Sequence, residues 1–474
     1  MRNLLGPGLC FALVAATATA APLTPDQKTR IRAIVAEART KAPAPSTSVA
    51  VVVDGQLAYA EAFGLADLDP ARPATPETRY DIGSVSKQFT AAAVMLMVQD
   101  GKLSLDDKVG RFLPKLARAD KVTIRHLLSH TAGYRDYWSD ASGAEEMGAP
   151  IAHQTLVDRW GAQPTAFEPG STWDYSNTNY AIAGRIVEIV SDRPLAEVLA
   201  ERVFQPLGMT GAIDSDGLPT GARDAARYTR NLLGPARPAT NPARGWAFAA
   251  GGLSMTASDL ARWDASLIRR SLLAPASYDA MTRETILTDG KGSGYGLGLY
   301  VDGAPGHRRV YHNGFAPGVI TENRIYPDDG VAVVVTVNAE FGMAVPDIAE
   351  GIEKLLLPVA FPKPATFGEP DPPKTTRGPS PLIRAYVDQL RAGRLDRRRL
   401  TRQASAYFTP EVLADYRDSL SRLGPPKRFV MLRRERMGDV DVSLFELTWP
   451  GQRVLGILRL RDDGKVTDLS LMAF

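Results

Sequence analysis

Gly83-Ser84-Val85-Ser86-Lys87-Gln88-Phe89-Thr90 opens a stretch of helical periodicity from Ser84 to Gln99, closed by Asp100-Gly101. A serine hydroxyl is a poor nucleophile at neutral pH and needs a base beside it. Residues three apart on a helix share one face, with Cβ atoms about 5–6 Å apart, so Lys87 can reach Ser84. A lysine that is desolvated or near another cation is neutral enough to be that base. Ser-x-x-Lys is therefore a route to an activated serine without a histidine. By itself the tetrapeptide says little, because a chain this long holds about one by chance. Read alone, Ser84 is a helix cap after Gly83 and Lys87 a solvated side chain.

The surrounding pattern supplies the fold class. Thr24 to Lys41 reads as a helix, with Thr24 as cap and Pro25 at its first position. Val49 to Val53 and Leu57 to Phe63, joined at Asp54-Gly55, form a β-hairpin. Pro70 to Pro76 is a loop, and Val122 to Ser129 is helical. From Gly133 to Gly252 helices alternate with Pro/Gly-rich loops; Ala181 to Val190 and Leu195 to Val203 are the clearest helices. Another helix starts at Thr256 or Ser258 and runs to Arg269. Strands return at Tyr295 to Val301, Arg309 to His312, Gly318 to Tyr326 and Val331 to Asn338, and Ile348 to Leu357 is a closing helix. The arrangement predicts an α+β fold: one antiparallel sheet built from both ends of the unit, helices on its faces, and an inserted helical lobe.

The rest of the chain divides around that unit. Residues 1–20 read as a signal peptide: Arg2, an apolar run from Leu4 to Ala16, and Ala18-Thr19-Ala20 as a cleavage site. The expected location is the periplasm or the exterior. Residues 21–358 form the main domain, 359–381 a Pro-rich linker, and 382–474 a small α+β unit of two helices and about four strands. Cys10, the single cysteine among 474 residues, lies in the signal, so no disulfide is expected. With 56 basic and 53 acidic residues interleaved, the net charge of +3 gives no argument for nucleic acid. The basic cluster from Arg394 to Arg402 reads as a solvated helix face. No later segment has the ~18 consecutive apolar residues a bilayer span requires.

Two further elements carry chemistry. Tyr175-Ser176-Asn177 follows Glu168-Pro169-Gly170 and precedes a helix. A phenol near a lysine can have a lowered pKa and pass protons, and Asn177 can hydrogen-bond a substrate amide and the lysine. His312-Asn313-Gly314 lies on a strand. A histidine there recognises a carboxylate or orients the tyrosine, and Gly314 leaves room for substrate backbone. Tyr311-His312-Asn313 also fits Tyr-x-Asn, but it runs into the strand. His126 and His130 have zinc-like spacing without a glutamate base between them, and Gly290 to Gly298 fits no phosphate-binding motif. No metal or cofactor is expected.

Ser84–Lys87, Tyr175–Asn177 and His312–Gly314, in that order and spacing, resemble the serine β-lactamase-like, penicillin-recognising family, especially its class C and D-alanyl-D-alanine carboxypeptidase branch. Leu127-Leu128-Ser129-His130-Thr131-Ala132-Gly133, Pro206-Leu207-Gly208-Met209 and Gly251-Gly252-Leu253 add to the likeness, which covers about residues 25–358. The resemblance implies a β-lactamase-like antiparallel sheet flanked by helices. It implies Ser84 as acylated nucleophile, Lys87 as base, and Tyr175 as proton relay. Asn177, His312, Asn313 and Gly314 would bind substrate, and the backbone N–H groups of Ser84 and Phe315 would form the oxyanion hole. Asn313 and the bulky Phe315 depart from the family pattern, and His312 in the third motif favours peptidase or esterase activity over β-lactam turnover.

The sequence thus points to an exported serine hydrolase acting on D-amino-acid peptides or amides, as a D-aminopeptidase or D-Ala-D-Ala carboxypeptidase. An esterase or weak β-lactamase stays open, as does a non-catalytic penicillin-binding-like sensor. Two helices followed by a curved sheet at the C-terminus resemble the nuclear-transport-factor-like fold, whose members bind small molecules or dimerise. A homodimer through this unit is an expectation.

Overall fold

The computed structural model describes residues 22–140, 144–218, 221–341, 344–357, 359–362, 378, 380–437 and 440–473. The export signal and most of the linker lie outside the described residues. Val331–Val337 is buried along its whole length, because its alternate side chains are apolar on both faces. Such a strand must be covered on both sides. It pairs with Ser46–Val53 on one edge and Val319–Tyr326 on the other, joining the two ends of the domain. The full sheet is antiparallel and has seven strands, in the order 71–73, 56–68, 46–53, 331–337, 319–326, 307–316 and 300–304.

Helices Pro25–Lys41 and Val345–Leu356 cover one face, over Val49, Val51, Val333, Val335 and Val337. Thr24 accepts from Gln27 N at 3.2 Å and caps the first helix, which turns Ile31, Val35 and Ala38 inward. Ala50, Val52, Ala332 and Val334 face the other way. They join Ser86–Gln99, Ala257–Arg269 and the helical lobe in the larger core.

Several boundaries differ from the expectation. Ser84 lies in a 3-10 turn, Gly83–Val85, and the α-helix begins only at Ser86. Ala71–Pro73 adds an edge strand where a loop was expected. Tyr295–Leu299 is not strand; the strand is Tyr300–Ala304, because Gly294 and Gly298 adopt positive φ and turn the chain. The basic run holds one 3-10 turn, Arg397–Arg399, capped by Asp396, rather than a helix.

Residues beyond the linker build their own core. Helices Pro381–Arg391 and Pro410–Leu423 and a short helix, Arg402–Tyr407, pack on a four-stranded antiparallel meander from Arg428 to Ala473. No described helix is long and apolar enough to cross a membrane.

The feature of the fold that positions the site is a close approach of two backbones. A Cβ at Gly314 would sit 2.0 Å from the Ile82 carbonyl oxygen, and one at Gly83, whose φ is +48°, would sit 2.9 Å from Phe315 N. Only residues without a Cβ allow the Ser84 turn to lie against the strand His307–Ala316. Gly314→Ala should therefore destabilise the protein by about 1–3 kcal/mol, because backbone on both sides has no room to yield. Urea unfolding measures it; an unchanged midpoint would show that turn and strand are not packed as described.

Candidate active site

Lys87 is fully buried on the first turn of its helix. Its Nζ lies 2.8 Å from Asn177 Oδ1, 2.7 Å from the Ala250 carbonyl oxygen and 3.0 Å from Ser84 Oγ. The first two neighbours can only accept. A neutral amine has two N–H donors and one lone pair, so donating to both oxygens turns the lone pair toward the Ser84 hydroxyl. Burial lowers the Lys87 pKa to about 7, opposed by the negative charge of Asp136. At pH 7 an ordinary lysine is neutral in roughly one molecule in 10³, whereas this one is neutral in about half. The helix therefore delivers the base that the Ser-x-x-Lys spacing anticipates.

Each acceptor is fixed by a residue the motifs do not include. Asp136 Oδ1 accepts from both the backbone N and the side-chain Nδ2 of Asn177, at 2.8 and 3.0 Å. That bond sets the amide so that its oxygen, not its nitrogen, faces Lys87. Asp216 accepts from the backbone N of Gly245, Ala247 and Phe248 and so caps the short helix Phe248–Gly251, which presents the Ala250 carbonyl. Both aspartates lie in loops, where no local spacing marks them.

Tyr175 stands with its ring 4.9 Å from Lys87 Nζ. Burial raises its phenol well above the ordinary value, and Ser84 beside it only partly opposes this. The expectation of a lowered tyrosine pKa is thus overturned: Tyr175 carries its proton, and Lys87 is the group poised to lose one. The ring of His130 packs 4.3 Å from that of Tyr175. Burial holds His130 neutral, and its Nδ1 accepts from Ser176 N at 3.2 Å. His126 has a separate task, accepting from Thr123 N in a helix cap.

The third motif behaves differently from the expectation. His312 is wholly buried, and burial lowers its pKa to about 3. Nδ1 donates to the Asn313 carbonyl at 2.7 Å, and Nε2 accepts from the Tyr295 hydroxyl at 3.0 Å. A neutral, doubly bonded ring 6.1 Å from Tyr175 supports the tyrosine cluster; it has no charge to offer a carboxylate. Gly314 makes room for the protein's own Ile82 carbonyl. A cleft of about 350 Å³ opens over Ser84, Tyr175, Asn177 and the half-exposed Phe315, with Asp136 and Trp138 also on its wall. His312, Asn313 and Gly314 are not among its lining residues.

Ser84 N and Phe315 N lie on the two backbone segments that Gly83 and Gly314 bring together. Asp81 holds this turn from behind: its carboxylate accepts from Gly83 N at 2.6 Å and pairs with Arg227 at 3.2 Å. The set can therefore take a proton from Ser84, offer paired backbone donors beside it, and return a proton through Tyr175.

The family model described as Beta-lactamase matches residues 31–356. A D-aminopeptidase from Brucella anthropi is 31% identical over 321 residues, covering 66% of this chain and 60% of that protein. The chain thus spans about three fifths of the length of that curated relative. A D-stereospecific amidohydrolase from Streptomyces superimposes with a TM-score of 0.59 at 25% identity, over 71% of this chain and 100% of that one. The octameric penicillin-binding protein homologue from Pyrococcus abyssi, at 21% identity and a TM-score of 0.60, covers 94% of this chain and 100% of its own. That likeness is one of fold.

Two outcomes test the electrostatics, read as the rate at which a fluorophosphonate labels Ser84. In the wild type the rate should rise tenfold per pH unit below about 7 and level off above it, because only the neutral amine is a base. Lys87→Met should cut the plateau by about 10²–10⁴. Asp136→Asn removes a charge that favours the ammonium form, so the midpoint should move to lower pH. A flat profile, or a midpoint moving upward, would contradict the account.

Proposed function

The chain belongs to the beta-lactamase family, and we propose that it is an exported serine hydrolase acting through an acyl-enzyme on amides and short peptides of D-amino acids. The observation that carries this reading is the buried amine of Lys87, aimed at Ser84 by two carbonyl acceptors. Lys87 takes the Ser84 proton as Oγ attacks the scissile carbonyl. The oxyanion forms between Ser84 N–H and Phe315 N–H, an arrangement whose loss of one donor costs about 10²–10³ in rate elsewhere. Collapse expels the amine, which receives the proton from Lys87 through Tyr175. Water then attacks the Ser84 ester, losing its proton to the same base, which returns it to Ser84 Oγ as the C–O bond breaks and the acid leaves.

The charge of the cleft favours a substrate with a free amine. Its lining includes Asp81, Asp136 and Asp216 but a single guanidinium, Arg227, which is already paired with Asp81. With His312 neutral and buried, nothing in the third motif offers a cation to a terminal carboxylate. This supports an aminopeptidase or amidase over a carboxypeptidase, in keeping with what the Brucella and Streptomyces proteins are named for. Export rests on the pattern of residues 1–20, and dimerisation through the C-terminal unit belongs to the same proposal.

A turnover panel tests the substrate. D-alanine p-nitroanilide should exceed its N-acetylated form at least tenfold in kcat/KM, because the unblocked amine meets acidic walls, and should exceed its L-isomer if the D-preference in the names of the Brucella and Streptomyces proteins holds here. Preference for an N-blocked peptide ending in D-Ala would make the protein a carboxypeptidase. Turnover confined to a short-chain ester or to nitrocefin would replace the amide reading.

A further inference from the structure

A hairpin of the catalytic domain, residues 227–239, runs from the cleft into the core of the C-terminal unit. Its two short strands, Tyr228–Thr229 and Arg237–Pro238, are closed by Ala239 N donating to the Arg227 carbonyl at 2.9 Å. So short a ribbon has no core of its own. Its tip is ordered by the other domain instead. Leu232, 1% exposed and held at a left-handed φ of +59°, is one of the residues of the C-terminal core, among Tyr416, Leu420 and Phe445. Asp415 accepts from Asn231 Nδ2 at 2.9 Å and from Arg237 Nε and Nη2 at 2.8 and 3.0 Å. Leu233 N donates to Ser419 Oγ, and Tyr407 donates to Asn231 Oδ1. These contacts all lie on one anchor.

The other end of the hairpin reaches both walls of the nucleophile. Arg227 pairs with Asp81, whose carboxylate also holds Gly83 N, one residue before Ser84. Tyr228 N donates toward the Gly318 and Asn338 carbonyls, and Gly318 forms the turn just beyond Phe315. Through these bonds the hairpin touches the Ser84 turn on one side and the Phe315 strand on the other.

We propose that the C-terminal unit is a positioning element of the active site, acting through this hairpin: Leu232 and the Arg237–Asp415 pair are the anchor, and Arg227–Asp81 is the contact that sets the Ser84 turn. The proposal deepens, and rests on, the reading of Ser84 as the nucleophile. It makes the domain interface part of the catalytic apparatus, with Arg227 and Arg237 as positioning residues.

The test uses the full chain with Asp415→Ala and Arg237→Ala. The second leaves every side chain of the C-terminal unit in place, so it remains informative if the first unfolds that unit. Hydrogen exchange is measured first. Faster exchange should appear at 227–239 and 79–86, and no change in the helix Pro275–Thr282, which lies away from the hairpin. Fluorophosphonate labelling of Ser84 should fall about tenfold or more, as displacements transmitted from outside a site do. The pH midpoint should stay near that of the wild type, since no group around Lys87 is altered. Arg227→Gln should give the same fall, and the double variant Arg227→Gln/Arg237→Ala should be no slower than the worse single one, because both break one linkage. Unchanged exchange at 79–86 in Arg237→Ala, or additive losses in the double variant, would overturn the proposal. A wild type that never labels, yet shows the coupled exchange, would leave the linkage standing and overturn the nucleophile instead.

Discussion

Burying the amine of Lys87 between the Asn177 and Ala250 oxygens is the constraint on which the site depends. Desolvation alone makes an amine neutral but says nothing of where its lone pair points. Two fixed acceptors supply the direction. Ser84 Oγ, at 3.0 Å, occupies the remaining one. The rest of the architecture keeps those acceptors still: Asp136 orients the Asn177 amide, and Asp216 caps the turn of helix that contains Ala250. Tyr175 completes the set because burial keeps its proton on, so base and relay cannot exchange roles at neutral pH.

The sheet contributes a second constraint. Its central strand ties the N-terminal hairpin to the strand 319–326, whose neighbour, 307–316, carries Phe315 to the Ser84 turn. Gly83 and Gly314 permit a backbone-to-backbone contact that any side chain would block. The paired N–H groups are thus a product of packing between the nucleophile turn and the sheet, not of one loop.

Much of this was legible in the chain. The continuous apolar runs at 49–53 and 331–337 announce strands, and helical spacing places Lys87 under Ser84. The first two motifs mark Ser84, Lys87, Tyr175 and Asn177, which the fold brings together. What stayed hidden has physical causes. Tyr295–Leu299 reads as a strand because aromatic and glycine residues alternate, yet positive φ at Gly294 and Gly298 converts it to a turn that sets Tyr295 against His312. His312 looks like a ligand-binding residue until its burial and two ring bonds are seen. Asp136, Asp216 and Arg227 act across 29 or more positions of sequence on irregular segments, where periodicity carries no signal. The anchor in the C-terminal unit is likewise a matter of tertiary contact, since nothing near Leu232 or Asp415 marks them as partners.

The proposed function stands on one covalent event, transfer of the substrate's acyl group to Ser84 Oγ while Lys87, not a histidine, takes the proton. Its most direct test is the intact mass of the full chain after acid quench during turnover of a D-amino-acid ester or amide, followed by peptide mapping. The predicted result is a single acyl adduct on Ser84, absent from Ser84→Ala, which also loses turnover. An adduct on another residue, or turnover retained by Ser84→Ala, would contradict it.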